Sequence, residues 1–446
     1  MRIWIDATRP ESRLEIFSMS LLERQLRPFA LAEEKVSALK AGVQQAGLGA
    51  ARDQFVQLAR SHTSASEIWV ELPEGDPTPD WIPQSLLDKL PIHWKTEPGT
   101  TGERLQRGLR DADGETVIAL SGDTVVDQRI VEQLAWWEKG SIAFVSDEGE
   151  KSAAAIRFEQ PLPEGGGDEG DLVEIARNAI TVGFVEQMAP ESVDAYIKKL
   201  RRHLPPFAIR VNGEATCAET ERYLFESNYK GSTDFLTKWV YPPLVWRMLQ
   251  PLTRNRVAPN VVTCVGIVCC FGSVPFFGSG MWLPGLILAY VMSVLDSVDG
   301  KLARVTFQSS AQGDALDHGM DIIHPPFWYW AWGWGLSGGD PYSGVVQASM
   351  WMVVFYIFDR IMEVLFTAST GKSIHGYTEF DNRIRTFISR RNVNLALFTV
   401  ALPFGLGIEA FYLIVAWQGL SAIYHFARVI QFWNDSDNEM MYKGAD

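Results

Sequence analysis

The strongest constraint on how this chain folds is a change of character near residue 231. Downstream, from about Phe235 to Trp433, long apolar runs rich in Trp and Phe carry few charges. Upstream, short apolar runs alternate with charges of both signs. A helix that crosses hydrocarbon needs about 20 mostly apolar residues. The downstream part offers roughly six such segments, at 259–279, 281–302, 312–336, 343–367, 393–408 and 409–432, the last two sharing a break at "PFGLGIE". The expected fold is therefore an α-helical polytopic membrane domain of about six transmembrane helices at 259–435. An interfacial helix at 231–258 precedes it, where Phe, Leu, Val and Trp alternate with Lys and Arg, and a tail at 436–446 follows. "EFDNRIRTFISRRN", with Phe380, Ile384, Phe387 and Ile388 at helical spacing, reads as a second interfacial stretch.

The connections give orientation. One set carries Arg254, Arg256, Lys301, Arg304, Lys372, Arg383, Arg385, Arg390 and Arg391; the other, "GSGMWLP", "LSGGDPYS" and "PFGLGIE", has no Lys or Arg. The positive-inside rule puts both termini in the cytoplasm; the membrane is expected to be a bacterial or archaeal cytoplasmic membrane. Trp328, Tyr329, Trp330, Trp332 and Trp334 are expected as an aromatic belt at the opposite face. The net charge of −14 excludes a nucleic-acid binder that works by bulk electrostatics. Cys217, Cys264, Cys269 and Cys270 have no zinc-site spacing, and "MRIWIDATRPESR" lacks the apolar core of a signal peptide.

Residues 1–230 read as a cytosolic α/β domain. "RIWIDA", "SEIWVEL", "TVIALSGD" and "SIAFVSD" are strand-like; "SLLERQLRPFALA" and "RIVEQLAWWEKG" have helical period. "PEGGGDEGD" is a flexible loop.

The chemistry lies in Leu295 to Asp321, "LDSVDGKLARVTFQSSAQGDALDHGMD". On one helix Asp296, Asp299 and Ala303 share a face; on the next, Gly313, Asp317 and Asp321 do. Four carboxylates from two sequential antiparallel helices thus converge. Each costs about 2.5–3.5 kcal/mol inside a bilayer, and together they repel. A divalent cation removes both penalties, and oxygen-only ligands favour Mg²⁺, Mn²⁺ or Ca²⁺ over zinc. Gly300 and Gly313 leave room for a group to approach the backbone.

This stretch resembles the CDP-alcohol phosphotransferase signature D-x2-D-G-x2-A-R-x8-G-x3-D-x3-D, matched at Asp296, Asp299, Gly300, Ala303, Arg304, Gly313, Asp317 and Asp321. "APNVVT" at Ala258 to Thr263 is similar to the start of that family's first span. The resemblance implies an enzyme that moves a substituted phosphate from a CDP-linked donor to an alcohol, releases CMP, and works in phospholipid biosynthesis as a homodimer. It implies two Mg²⁺ (or Mn²⁺) ions held by Asp296, Asp299, Asp317 and Asp321, with Asp321 also the general base. The CDP moiety would lie against Asp296, Asp299, Gly300, Ala303, Arg304, Gly313 and Asp317. The N-terminal half looks like a sugar-phosphate nucleotidyltransferase domain, through "MSLLERQLR" and "ALSGDTVVDQRIVEQL". Its first loop, "DATRPESRLEIFS", has no glycine, so a degenerate domain is expected, with Asp123 in the place of a metal-binding aspartate.

Arg360, Arg390 and Arg391 are candidates for binding an anionic acceptor such as a phosphorylated polyol, because Arg grips phosphate in fork geometry. Arg360 has Asp359 and Glu363 as alternative ion-pair partners. His318 and His324 lie nearby, and Pro325-Pro326 is expected to kink or break its helix. The competing readings are a CDP-small-alcohol donor with a neutral lipid acceptor, a bifunctional enzyme that makes its own CDP-alcohol, and a cation-binding scaffold without activity. Orientation has a direct check. A cysteine placed at Ser337 should react with an impermeant reagent from outside the cell, and one at Ser373 only after permeabilisation; the opposite pattern would invert the topology.

Overall fold

The computed structural model describes residues 1–46, 65–76, 78–163, 170–197, 200–231 and 233–443, so most of the "PEGGGDEGD" loop lies outside the described residues. The chain divides into two compact units, Met1–Ile197 with His203–Ser227, and Lys198–Arg202 with Asn228–Asp446.

The first unit is built on a seven-stranded mixed sheet. Its strands are β1 (Arg2–Asp6), β2 (Glu67–Glu71), β3 (Ile92–Lys95), β4 (Val117–Ser121), β5 (Ile142–Ser146), β6 (Ala153–Phe158) and β7 (Glu186–Gln187), in spatial order β7-β5-β6-β4-β1-β2-β3. β1 pairs parallel with β2 and β4, while β6 runs antiparallel between β4 and β5. All six residues of β6 are buried, a continuous apolar strand interrupted by Arg157 that the alternating pattern upstream did not reveal. Helices α1 (Leu21–Ala46), α2 (Thr101–Asp111), α3 (Gln128–Trp136) and α4 (Leu172–Thr181) cover the sheet. Separate cores lie around Ile3, Ile5, Leu22 and Ile118, and around Trp4, Leu105, Ile156 and Phe158. Helix α5 (Glu214–Ser227) ends this unit's sequence.

The second unit is helical. α6 (Tyr241–Arg254) follows a π-type turn at Leu236–Val240; it buries Tyr241, Val245, Leu249 and Thr253, while Trp239, Val240 and Leu244 stay exposed. Then come α7 (Pro259–Gly278), α8 (Trp282–Val305), α9 (Ala311–Leu336), α10 (Gly344–Thr370), α11 (Glu379–Arg385), α12 (Arg391–Ala401) and α13 (Gly407–Lys443). Among the described residues three helices are long and apolar enough to cross a membrane: α7, α8 and Gly407–Asn434 of α13. α9 and α10, of 26 and 27 residues, have the length but are not among those three. α12 has 11 residues, about 16 Å of helix, and falls short of a 30 Å hydrocarbon layer. The expected interfacial helix at "EFDNRIRTFISRRN" is only the seven residues of α11. The expected tail is, up to Lys443, a continuation of α13.

The aromatic belt is corrected in part. Trp328, Tyr329 and Trp332 are buried in the helical core, where the Trp332 ring stacks on Phe398 at 4.4 Å. Trp330 is exposed and stacks on Trp334. Close packing here also uses Gly335: a Cβ on it would lie 2.0 Å from the Phe277 carbonyl oxygen.

Pro325 and Pro326 do not break α9. A proline removes the hydrogen bond to the carbonyl four residues earlier, which here orphans Asp321 and Ile322. The Tyr356 hydroxyl of α10 lies 2.9 Å from the first carbonyl oxygen and 3.2 Å from the second, and donates there. The helix is thus held across its weak point by a neighbour, one turn from an aspartate of the signature. Tyr356→Phe should lower stability by about 1–3 kcal/mol, the cost of buried unsatisfied groups, measured by thermal unfolding in detergent; an unchanged unfolding temperature would show that water serves the carbonyls equally well.

Candidate active site

The signature aspartates sit on α8 and α9, joined by a short turn. The Ser310 hydroxyl accepts from the Gly313 N–H at 3.0 Å and caps α9, which sets Asp317 and Asp321 about two and three turns into that helix. One carboxylate oxygen from each of Asp296, Asp317 and Asp321 lies within 4.8 Å of the other two. All three side chains keep some solvent access, so the cluster opens to one side. An all-oxygen triad of this size fits Mg²⁺ or Mn²⁺, which take carboxylates together with phosphate oxygens.

Asp299, also on α8, is not one of those three. It is 5% exposed, and its carboxylate accepts from the Thr263 hydroxyl of α7 and from the Gly300 N–H, both at 2.6 Å. Thr263 lies in the "APNVVT" stretch. Asn260 of the same stretch explains Gly313: a Cβ there would come 3.0 Å from the Asn260 amide oxygen and 3.1 Å from the Ser310 hydroxyl. At Gly300 a Cβ would meet the Arg304 guanidinium at 3.3 Å. The glycines therefore make room for the chain's own polar side chains as well as for any ligand. Arg304 itself reaches the Asn228 carbonyl at 3.4 Å.

The arginines divide. Arg391, at the start of α12, spans the aspartates: Nη2 donates to Asp296 Oδ2 at 2.8 Å and Nη1 to Asp321 Oδ1 at 3.0 Å. Nη1 also lies 3.4 Å from Nε2 of the buried His324, whose Nδ1 is held by the Met320 carbonyl at 2.6 Å. Arg360 pairs with Asp359 at 2.8 Å and with Glu363, and Arg390 also pairs with Glu363. The structure thus joins Arg360 and Arg390 through one carboxylate and sets Arg391 at the aspartate cluster. His318 is largely exposed, with its Nδ1 on the Asp314 carbonyl at 3.0 Å. Spacing in sequence carried no signal for the Arg391 contacts, because they join residues 70 and 95 positions apart.

Residues 256–424 match the model of the CDP-alcohol phosphatidyltransferase family. That stretch is a domain of this family. It holds every signature residue, together with Arg360, Arg390 and Arg391. Similar proteins include an uncharacterised CDP-alcohol phosphatidyltransferase class-I family protein of Schizosaccharomyces pombe, 29% identical over 148 residues, covering 29% of this chain and 37% of that one. Cholinephosphotransferase 1 of Xenopus laevis is 33% identical over 123 residues (25% of this chain, 30% of that one). Cholinephosphotransferase 1 of Gallus gallus is 30% identical over 103 residues (21% and 30%). The chain spans about a third of the length of the curated relatives it matches.

Outside the phosphatidyltransferase domain, Asp123 is 2% exposed and already engaged. It accepts from Arg210 Nε at 2.9 Å and from the Ser121 hydroxyl at 2.5 Å, with Arg9 Nη1 at 3.6 Å. The same two arginines reach Asp171, at 2.6 and 3.5 Å. Burial pushes the Asp171 carboxyl up, but the Arg210 hydrogen bond and charge outweigh it and hold it below its usual range. Two guanidiniums balance two carboxylates where a metal-binding aspartate was expected.

If Arg391 is the cation that holds Asp296 and Asp321 together, Arg391→Gln should cost about 1.5–3 kcal/mol without divalent metal. Added Mg²⁺ should then raise the unfolding temperature of the variant more than that of the wild type. Equal Mg²⁺ responses would count against this role.

Proposed function

We propose that the helical unit transfers a phospho-alcohol from a CDP-linked donor to a hydroxyl acceptor, with release of CMP. The observation that carries this reading is the convergence of Asp296, Asp317 and Asp321 beside the Arg391 guanidinium. Divalent ions, held by Asp296 and Asp317 with Asp321 and Asp299 in support, would neutralise the pyrophosphate and the departing CMP. Arg304 and the backbone at Gly300 and Gly313 would position the CDP moiety. The acceptor oxygen attacks the phosphorus that bears the alcohol, the bond from that phosphorus to the CMP oxygen breaks, and the acceptor proton passes to Asp321. Asp321 suits the base because it is the most exposed of the triad, on the open side. Arg391, bridging Asp296 and Asp321, fixes the direction of that carboxylate. The aspartate end of the unit is read as cytoplasmic.

For the acceptor, the charge balance favours a neutral lipid hydroxyl with a CDP-small-alcohol donor. Arg360 and Arg390 are matched by Asp359 and Glu363. A phosphorylated polyol would have to displace these carboxylates, and so stands second. The similarity to cholinephosphotransferases supports the same order. For the first unit, the pairing of Asp123 with Arg210 and Arg9 supports a degenerate nucleotidyltransferase-like domain over one that makes the CDP-alcohol.

Purified protein with Mg²⁺, diacylglycerol and CDP-choline or CDP-ethanolamine should release CMP and form the matching phospholipid, detected by mass spectrometry. CMP release only with glycerol phosphate or inositol phosphate and CDP-diacylglycerol would reverse the acceptor order. Asp321→Asn should lower kcat by about 10²–10⁴-fold, the range of a positioned base, while CDP binding persists; wild-type turnover in that variant would remove Asp321 from the chemistry.

A further inference from the structure

A second group of ligating side chains lies away from the signature, where the loop after α10 meets α13. One ligand atom each from Glu363, His375 and His425 falls within 4.8 Å of the other two. His375 and His425 are both 1% exposed or less, and their rings meet edge to face at 4.9 Å. His425 Nδ1 is hydrogen-bonded to the buried Asp359 carboxylate, and its Nε2 is buried with no hydrogen-bond partner. A carboxylate on one ring nitrogen fixes the tautomer and leaves the other nitrogen's lone pair for a metal, which is the usual setting of a metal-binding histidine.

The contacts of His375 point the same way. Its Nε2 lies 2.9 Å from Glu363 Oε1 and 2.7 Å from Arg390 Nη2, and Arg390 also touches Glu363. A guanidinium only donates. If Nε2 accepts from Arg390, it is unprotonated and faces the Glu363 oxygen as a second acceptor. If it carries a proton for Glu363, it confronts the guanidinium as a second donor. Either tautomer leaves one contact unfavourable, whereas a cation bonded to both atoms satisfies them together. Arg390 now fills that role from one side, with a side chain 20% exposed. Arg360, on Asp359 and Glu363, balances part of the remaining charge.

We propose that Glu363, His375 and His425 form a second metal site, for a zinc-type transition-metal dication, which Arg390 vacates when the ion binds. Two imidazole nitrogens and one carboxylate are a zinc donor set, and imidazole disfavours Mg²⁺. The ion would tie the loop at Ile374–Gly376 to α10 and α13. It is distinct in chemistry from the all-oxygen aspartate cluster.

The test is Co²⁺ titration of the full-length protein in detergent, followed by visible absorption, in an Asp296→Asn/Asp317→Asn background that disables the aspartate cluster. Four-coordinate Co²⁺ with nitrogen ligands absorbs far more strongly than six-coordinate Co²⁺ on oxygen, so one equivalent should give an intense band that Zn²⁺ bleaches and Mg²⁺ does not. His425→Ala should abolish the band. Asp359→Asn should weaken binding by about 10–100-fold, and Arg390→Gln should tighten it by removing the competing cation. A flat spectrum without the His425 change overturns the proposal whatever the variants do, and so does a band that survives unchanged in His425→Ala.

Discussion

One guanidinium organises the helical unit. Arg391 lies across Asp296 of α8 and Asp321 of α9, and it belongs to α12. Two sequential helices and a third distant in sequence therefore meet at a single charge. In a low-dielectric setting an unpaired carboxylate is expensive, so the helices settle where opposite charges meet. The same rule recurs at Asp359 and Glu363, which face Arg360 and Arg390, and at Asp381, which takes Arg428 together with the Thr378 and Tyr424 hydroxyls. The Glu363–Arg390 and Asp381–Arg428 pairings each join a loop or helix end to a long helix, while Arg360 pairs within α10. The polar groups thus supply register to a bundle whose apolar packing alone specifies little of it.

Backbone defects in this unit are handled in the same manner. Two consecutive prolines in α9 would ordinarily expose two carbonyls, and one tyrosine hydroxyl from α10 meets both. The repair sits beside Asp321, so the direction of the proposed base depends on a residue that touches no substrate. Thr263 does comparable work for Asp299, and Ser310 for the start of α9.

Local patterns were legible in the sequence and distant pairings were not. The face-sharing of Asp296 with Asp299 and of Asp317 with Asp321 follows from helical period alone, and Asp296, Asp317 and Asp321 do meet. Six strand and helix segments of the first unit were readable because alternation or amphipathic spacing marks them. β6 was not, since a strand buried on both faces lacks alternation. The hydrogen bond that Thr263 gives Asp299 comes from 36 residues away, and no period encodes it. Trp328 and Trp332 were misplaced for a related reason: a tryptophan near a span end fits a headgroup belt and a packed core equally well until its neighbours are known. The clustering of Glu363, His375 and His425 was likewise invisible, because it requires α10 and α13 to be side by side.

The shortness of α12 fixes where Arg391 lies along α13. The Ser389 N–H donates to the Ser421 hydroxyl, which sets the start of α12 level with residue 421 of α13. The apolar run of α13 continues to Ala427 before Arg428 breaks it, about 9 Å farther along the helix at 1.5 Å per residue. The start of α12, and Arg391 with it, therefore lies short of the end of that apolar run. On the proposed function, a CDP-linked donor would reach the carboxylates through the open side of the cluster. A lipid acceptor of the proposed kind could approach from the apolar side, with its acyl chains alongside α13 rather than in water.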